Sequence, residues 1–213
     1  MTGDRTRVHQ LYLSPSTPRQ VMDNLDVFGF LVSPRSGVRN VIVDGAYWAM
    51  DNDAFNGAFT EQAWFDTLVI YRPYLSRCLF AVVPDVPYDA MATLERFNQY
   101  EPLLRFATYP VAIATQNGMT PEMIPWDKID ALFVGGNDQH KMRSEAGLLI
   151  REARRLGKWI HVGRVNSRSR LLQFSSADSW DGTTICFEPQ TAVRIAQTVR
   201  EIRKLKGSSL WGI

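Results

Sequence analysis

Aspartates, amides and glycines recur in this chain just past short apolar runs. Asp51, Asn52 and Asp53 stand ahead of Phe55, in a segment that follows Val41–Val43. Pro84-Asp85 follows Cys78–Val83, and Gln116-Asn117-Gly118 follows Val111–Thr115. Gly135-Gly136-Asn137 follows Ala131–Val134, and Gly163, Arg164 and Asn166 follow Trp159–Val162. A weaker run, Ser179–Ile185, carries Asp181-Gly182. Two separated carboxylates suit glycosidic chemistry: one ionised Asp attacks or stabilises an oxocarbenium-like centre while the other moves a proton. Amides and glycine backbone suit reading the edge of a planar base, and an aromatic such as Phe55 suits stacking on it. An Asp after a strand also caps helices or forms Asx turns. The weight therefore lies in six strand ends coinciding, not in any one of them.

Other chemistries find less support. The acids show DxD spacing at Asp51/Asp53 alone, and His9, His140 and His161 are not at metal-ligand spacing. No metal and no cofactor is expected. His161 ends a strand and is a candidate to line the pocket. No G-x-S-x-G, Walker A or G-x-G-x-x-G occurs, which weakens hydrolase, NTPase and dinucleotide readings. The cysteines, Cys78 and Cys186, form no CxxC pair, so neither a disulfide scaffold nor a zinc site is expected.

The elements that must position these residues alternate. The apolar runs, with Val8–Leu13 at the front and Phe30–Val32 as a further candidate, read as strands. Helical patterns lie between them. Thr17-Pro18 and Thr120-Pro121 signal helix starts, and Gly29 signals a helix end. Ser144–Leu156 ends at Gly157, Ser167 caps Arg168–Phe174, and Thr191–Leu205 sets Ile195, Val199 and Ile202 on one face. Pro34–Asn40 and Ala46–Thr60 read as loops. Strands that are continuously apolar and alternate with helices predict a parallel sheet covered on both faces. The fold class expected is α/β: a trimmed (β/α)8 TIM-type barrel spanning residues 1–213 as one domain, with a doubly wound sheet as the rival. In such a barrel the strand C-termini form the active face.

Bulk properties agree with an ordinary globular chain. It has 213 residues, 45% apolar and 22% charged, with a net charge of +2. The polar N-terminus carries Arg5 and Arg7 with no apolar stretch after them, and no window suits a membrane span; a cytoplasmic protein is expected. Basic residues cluster late. Arg164, Arg168 and Arg170 follow a strand end and, with Asn166, are candidates to contact phosphates of a nucleic acid.

The order of these motifs resembles the tRNA-guanine transglycosylase superfamily. It is most similar to the small phage and genomic-island branch that places 7-deazaguanines in DNA. Asp51-Asn52-Asp53-Ala54-Phe55 resembles the family's D-S-G-G-[YF], and Pro84-Asp85-Val86 stands where the family has F-D-E. Thr115-Gln116-Asn117-Gly118 resembles V-Q-G-G, and Val134-Gly135-Gly136 its glycine strand end. Trp159–Gly163 and Ser179-Trp180-Asp181-Gly182 are similar to Y-L-M-G-V-G and M-F-D-C. The resemblance spans roughly Val41 to Ile185. It implies Asp181 as nucleophile and Asp51 as general acid/base. It further implies that Phe55 stacks on the base, that Asp85, Gln116, Gly135 and Gly136 read its edge, and that guanine is exchanged for a preQ0-type base; Asn52, His161 and Gly163, at strand ends, are further candidates to bind the substrate. The family's zinc motif, C-x-C-x2-C with a later His, is absent, so DNA is expected as partner ahead of tRNA, and a monomer or weak dimer ahead of the family's dimer. Hydrolysis by the same two aspartates, and a catalytically silent barrel that binds nucleic acid, stand as alternatives.

Overall fold

The computed structural model describes residues 9–36, 39–141 and 144–209. Eight parallel strands close into a barrel in sequence order. They are β1 (Leu11–Ser14), β2 (Phe28–Val32), β3 (Trp48–Met50), β4 (Cys78–Val82), β5 (Val111–Ala114), β6 (Ala131–Val134), β7 (Trp159–Val162) and β8 (Ser179–Asp181). Closure is made by β8 on β1, with Leu11 opposite Ser179 and Leu13 opposite Asp181. The helices α1 (Arg19–Met22), α2 (Arg39–Val43), α3 (Glu61–Tyr71), α4 (Ala90–Phe106), α5 (Asp138–Lys141), α6 (Ser144–Arg155), α7 (Arg168–Gln173), α8 (Thr184–Phe187) and α9 (Thr191–Ser209) connect them. The trimming lies in the connections: α1, α2, α5 and α8 are each a single turn.

The core has two layers, as the period-2 geometry of strands requires. Leu11 and Leu13, with Leu31, Phe80, Val82, Ala114 and Trp159, fill the barrel interior. The alternate residues, among them Tyr12, Phe30, Trp48, Ala81, Ile113 and Trp180, face outward against the helices. Every strand but β6 is buried along its full length. That is why the strands read as apolar runs rather than alternating ones.

Several expectations need correction. Val41–Val43 is not a strand; it completes α2, where Ile42 is buried and Val43 stays exposed. Asp44 and Gly45 bond back to Asn40 and Ile42, and Gly45 takes φ +98° to end the turn. The strand is instead Trp48–Met50, inside what reads as a loop. Trp48 packs against Tyr71 and Tyr109 and donates its indole N–H to Tyr74. Gly29 ends no helix but lies within β2, where a Cβ would come within 2.9 Å of both Leu13 Cδ2 and the Tyr47 carbonyl. The run Ser179–Ile185 divides, with β8 stopping at Asp181 and α8 taking Thr184 onward. Val8, at the front of the first predicted strand, lies outside the described residues. Thr120-Pro121 opens a short 3-10 turn, Pro121–Met123.

Candidate active site at the barrel mouth

The strand C-termini surround one open cavity of about 630 Å³, a size that suits a small-molecule ligand. Asp51, Asn52, Phe55, Asp85, Gln116, Gly135, Gly136, Gly163, Arg164 and Asp181 all line it. The strand-end reading therefore brings ten candidates together. Asp53, which the sequence places beside Asp51, lines it too, and so do Arg35, Tyr88 and Lys141, which come from loops or a helix where no strand-end argument points to them.

Asp51 follows β3 directly and accepts the Asn52 N–H at 2.8 Å. Burial is the largest influence on its carboxyl. The Asn52 N–H opposes it, and the nearby charges of Asp85, Asp181 and Asp53 reinforce it, leaving Asp51 raised to about 7. The residue itself is half-buried and keeps contact with the cavity. A carboxyl in that range both gives and takes protons at neutral pH.

Asp85 is held differently. Its two oxygens accept from Asn52 Nδ2 at 2.8 Å and from Gln116 Nε2 at 2.7 Å. Burial pushes its carboxyl above the usual range, against the pull of those donors and of Arg96. The supporting amides are themselves engaged. Asn52 Nδ2 also donates to Val83 O, and Asn52 Oδ1 accepts the Ala54 N–H. Gln116 Oε1 accepts the Tyr88 N–H. Asn52 and Gln116 thus serve first to fix Asp85.

Asp181 ends a buried chain. The Trp159 indole N–H, which can only donate, meets Ser179 Oγ at 2.8 Å. Ser179 Oγ lies 2.8 Å from His161 Nδ1, and His161 Nε2 lies 3.0 Å from Asp181 Oδ1. Ser179 Oγ thus joins the indole N–H to His161 Nδ1, and Nε2 faces the Asp181 carboxylate as its N–H donor. The Arg164 N–H donates to the same oxygen at 3.2 Å. His161 is fully buried and packs against Phe80 and Phe133. It therefore sits inside the barrel beneath Asp181 and is absent from the cavity lining.

Glycine is required where the backbone forms the wall. A Cβ on Gly135 would come within 2.8 Å of the Thr115 carbonyl, and one on Gly163 within 2.8 Å of Phe133 and 3.3 Å of Asp181 Oδ1. Lys141 is buried, and its Nζ donates to the Gly163 carbonyl at 2.7 Å. That carbonyl and the Arg164 N–H belong to one peptide unit, which so links Lys141 on one edge to Asp181 on the other.

The rim is strained. Four described non-glycine residues have left-handed backbone, and three of them, Asp53 (φ 61°), Tyr88 (φ 69°) and Arg164 (φ 58°), line the cavity. Each such residue costs on the order of 1 kcal/mol, and such strain concentrates at functional sites. The Arg164 guanidinium lies 4.3 Å over the Phe55 ring, and Phe55 meets Tyr88 edge-on at 6.1 Å. Arg35 faces Asp53 at 3.5 Å.

The other basic candidates go elsewhere. Arg168 Nη2 donates to both carboxylate oxygens of Glu201 on α9, and with Asn166 the residue lines a second cavity of about 470 Å³ between α7 and α9. Asn166 Oδ1 accepts the Thr184 N–H. The Arg170 N–H is capped by Ser167 within α7. Arg164 alone of this group reaches the main cavity. Among the described residues no group of three or more His, Cys, Asp and Glu is placed to hold a metal ion. No helix among them is long and apolar enough to cross a membrane.

Comparison with known proteins corrects the family expectation. No family model matches the chain, and no curated protein matches it. Solved structures do match. KGPDC from Streptococcus mutans is 12% identical, with a TM-score of 0.58 over 97% of this chain and 100% of that one. The 3-hexulose-6-phosphate synthase from Salmonella typhimurium is 13% identical, with a TM-score of 0.57 over 92% and 99%. The YdjI aldolase from Escherichia coli K12 is 11% identical, with a TM-score of 0.56 over 93% and 87%. These likenesses establish the eight-stranded barrel. They are not likenesses to tRNA-guanine transglycosylases, and with them the resemblance to that family is withdrawn. Base exchange on DNA falls with it, as do the glycosylase and silent-barrel alternatives. The site adds a physical reason. Two residues expected to bind the base, Asn52 and Gln116, are already bonded to Asp85, and the family's glycine after the first Asp is here the strained Asp53.

Proposed function

We propose that the chain is an enzyme of the aldolase or decarboxylase type, in which Asp51 moves a proton at a small polar substrate held in the barrel mouth. One observation carries this reading: a carboxyl raised to about 7 stands in a metabolite-sized cavity at the strand C-termini. Proton transfer next to a carbonyl needs such a group, together with positive charge where an enolate oxygen develops. Arg164, Lys141 and Arg35 bring cations to the same cavity. Asp181, oriented by His161 and the Arg164 N–H, is the fixed second carboxylate. The aldolase and the synthase named above share only the fold with this chain, so the reaction class rests on the cavity.

The test is exchange of deuterium from solvent into the carbon beside a carbonyl, followed by proton NMR. Pyruvate, 2-oxoglutarate, dihydroxyacetone phosphate and a ketopentose phosphate form a suitable set. Exchange of at least one is expected to rise with pH through a limb near 7, and Asp51→Asn is expected to reduce it about 100-fold or more. No exchange above buffer with any of them, or undiminished exchange in the variant, overturns the reading.

A further inference from the structure

Five lysines occur in the chain, at 128, 141, 158, 204 and 206. Lys141 alone lines the main cavity, and it is 4% exposed. The acid–base reading leaves this buried primary amine without a chemical task beyond its charge. A lysine that only contributed charge would ordinarily keep its ammonium in water and bury its stem. Here the nitrogen end is drawn inward, to within 2.7 Å of the Gly163 carbonyl. That carbonyl fixes where the amine points. The peptide carrying it is itself held at its other edge by Asp181 and by the left-handed Arg164.

We propose that Lys141 is a nucleophile that forms an imine with the carbonyl carbon of an aldehyde or ketone substrate bound in this cavity. The proposal rests on the acid–base reading of the site and names the substrate class for it. The Lys141 ammonium first gives a proton to Asp51 in the same cavity; the neutral Nζ then attacks the carbonyl carbon, and the C–N bond forms as the carbonyl π pair moves to oxygen. That oxygen takes a proton and the nitrogen gives one up, leaving a carbinolamine. A second proton delivered to the hydroxyl lets it leave as water, while the nitrogen lone pair closes the C=N bond. One water is released and nothing is oxidised or reduced. Asp51, in the same cavity, is a group that can deliver and collect these protons. The resulting iminium draws electrons from the neighbouring C–H or C–C bond.

The experiment traps the imine. The full chain is incubated separately with pyruvate, dihydroxyacetone and glyceraldehyde, then reduced with sodium borohydride and weighed by intact-protein mass spectrometry. At least one probe is expected to add a single reduced adduct per chain, mapping by peptide digestion to Lys141. The adduct is expected to disappear in Lys141→Arg, which keeps the charge and the donor to Gly163 but forms no imine. Absence of an adduct with all three probes overturns the proposal, as does labelling spread over the other four lysines and unchanged in the variant. Mapping the adduct on the unmutated chain keeps the test valid should Lys141→Arg fold poorly. The two readings fail separately. Deuterium exchange that depends on Asp51 without any trapped adduct removes the imine and leaves the acid–base site. A Lys141 adduct with exchange undiminished in Asp51→Asn does the reverse.

Discussion

Asp51→Asn tests the electrostatics of the site without any substrate. In the unfolded chain an aspartate titrates near 3.9, whereas in the fold Asp51 is raised to about 7. Between those values the folded chain holds a proton that the unfolded chain has released. Stability must therefore fall as pH rises through this window, with the loss complete above about 7. Roughly three pH units at 1.36 kcal/mol each give about 4 kcal/mol as a ceiling. Water in the open cavity screens the charge, so a loss on the order of 2 kcal/mol is expected. Asparagine removes the titration and keeps an oxygen to accept the Asn52 N–H. Urea unfolding of both proteins, at steps from about pH 4 to about pH 8, reads the difference. The variant should match the wild type near pH 4 and be the more stable by about 2 kcal/mol near pH 8. Parallel curves over this range would mean that Asp51 is already ionised at neutral pH. The assignment of the proton-moving role would then be refuted.

Three further outcomes follow from the geometry. Ser179→Ala strips the partner from two buried groups, the Trp159 N–H and His161 Nδ1, and should cost about 2–4 kcal/mol by chemical denaturation; a loss under about 1 kcal/mol would show that the chain to Asp181 is not held as described. Gly182→Ala places a Cβ 2.5 Å from the buried Tyr12 hydroxyl and closer still to Asn166 Oδ1. It should cost about 1–3 kcal/mol and loosen the contact from Tyr12 to the Val165 carbonyl; a neutral effect on the thermal midpoint would contradict this packing. Arg168→Ala breaks a largely exposed pair with Glu201 and should change stability by no more than about 1 kcal/mol, with no effect on the deuterium exchange assay. A collapse of that exchange would place Arg168 at the main cavity instead.

Legibility in the sequence followed burial. β6 and β7 read directly as Ala131–Val134 and Trp159–Val162, because β7 is buried throughout, β6 is buried at all but Phe133, and a glycine closes each run. β3 was not legible. Three residues inside a stretch rich in aromatics and acids carry no period, and Trp48–Met50 is a strand because β2 and β4 pair with it. Val41–Val43 misled for the opposite reason: a β-branched run is a weak preference, and a left-handed Gly45 with one buried Ile42 made it a helical turn. Asp51 stands out although the sequence attaches it to the wrong strand, since the acids after β3 are conspicuous in either register. Lys141, Tyr88 and Arg35 left no such signal, because loop and short-helix residues reach the mouth only through the tertiary path of the chain. His161 shows the limit of the strand-end rule. One residue of alternation places it beside Trp159 in the interior instead of beyond the strand end.

The roles of the two principal carboxylates follow from what surrounds them, not from their chemistry, which is the same. Asp51 ends β3 and accepts a single N–H, while three other aspartates raise the cost of its charge. Asp181 ends β8, and its Oδ1 accepts from both His161 and the Arg164 N–H. Of those donors, His161 ties Asp181 to a chain that runs to the Trp159 indole. Protonating Asp51 breaks no contact of comparable depth and relieves repulsion. Asp51 is thus the carboxyl raised to about 7, while Asp181 is fixed in direction by its two donors. The fold enforces the division at a distance. Strands β1 and β2 separate the two aspartates around the barrel, so each can be held by its own partners while both face one cavity.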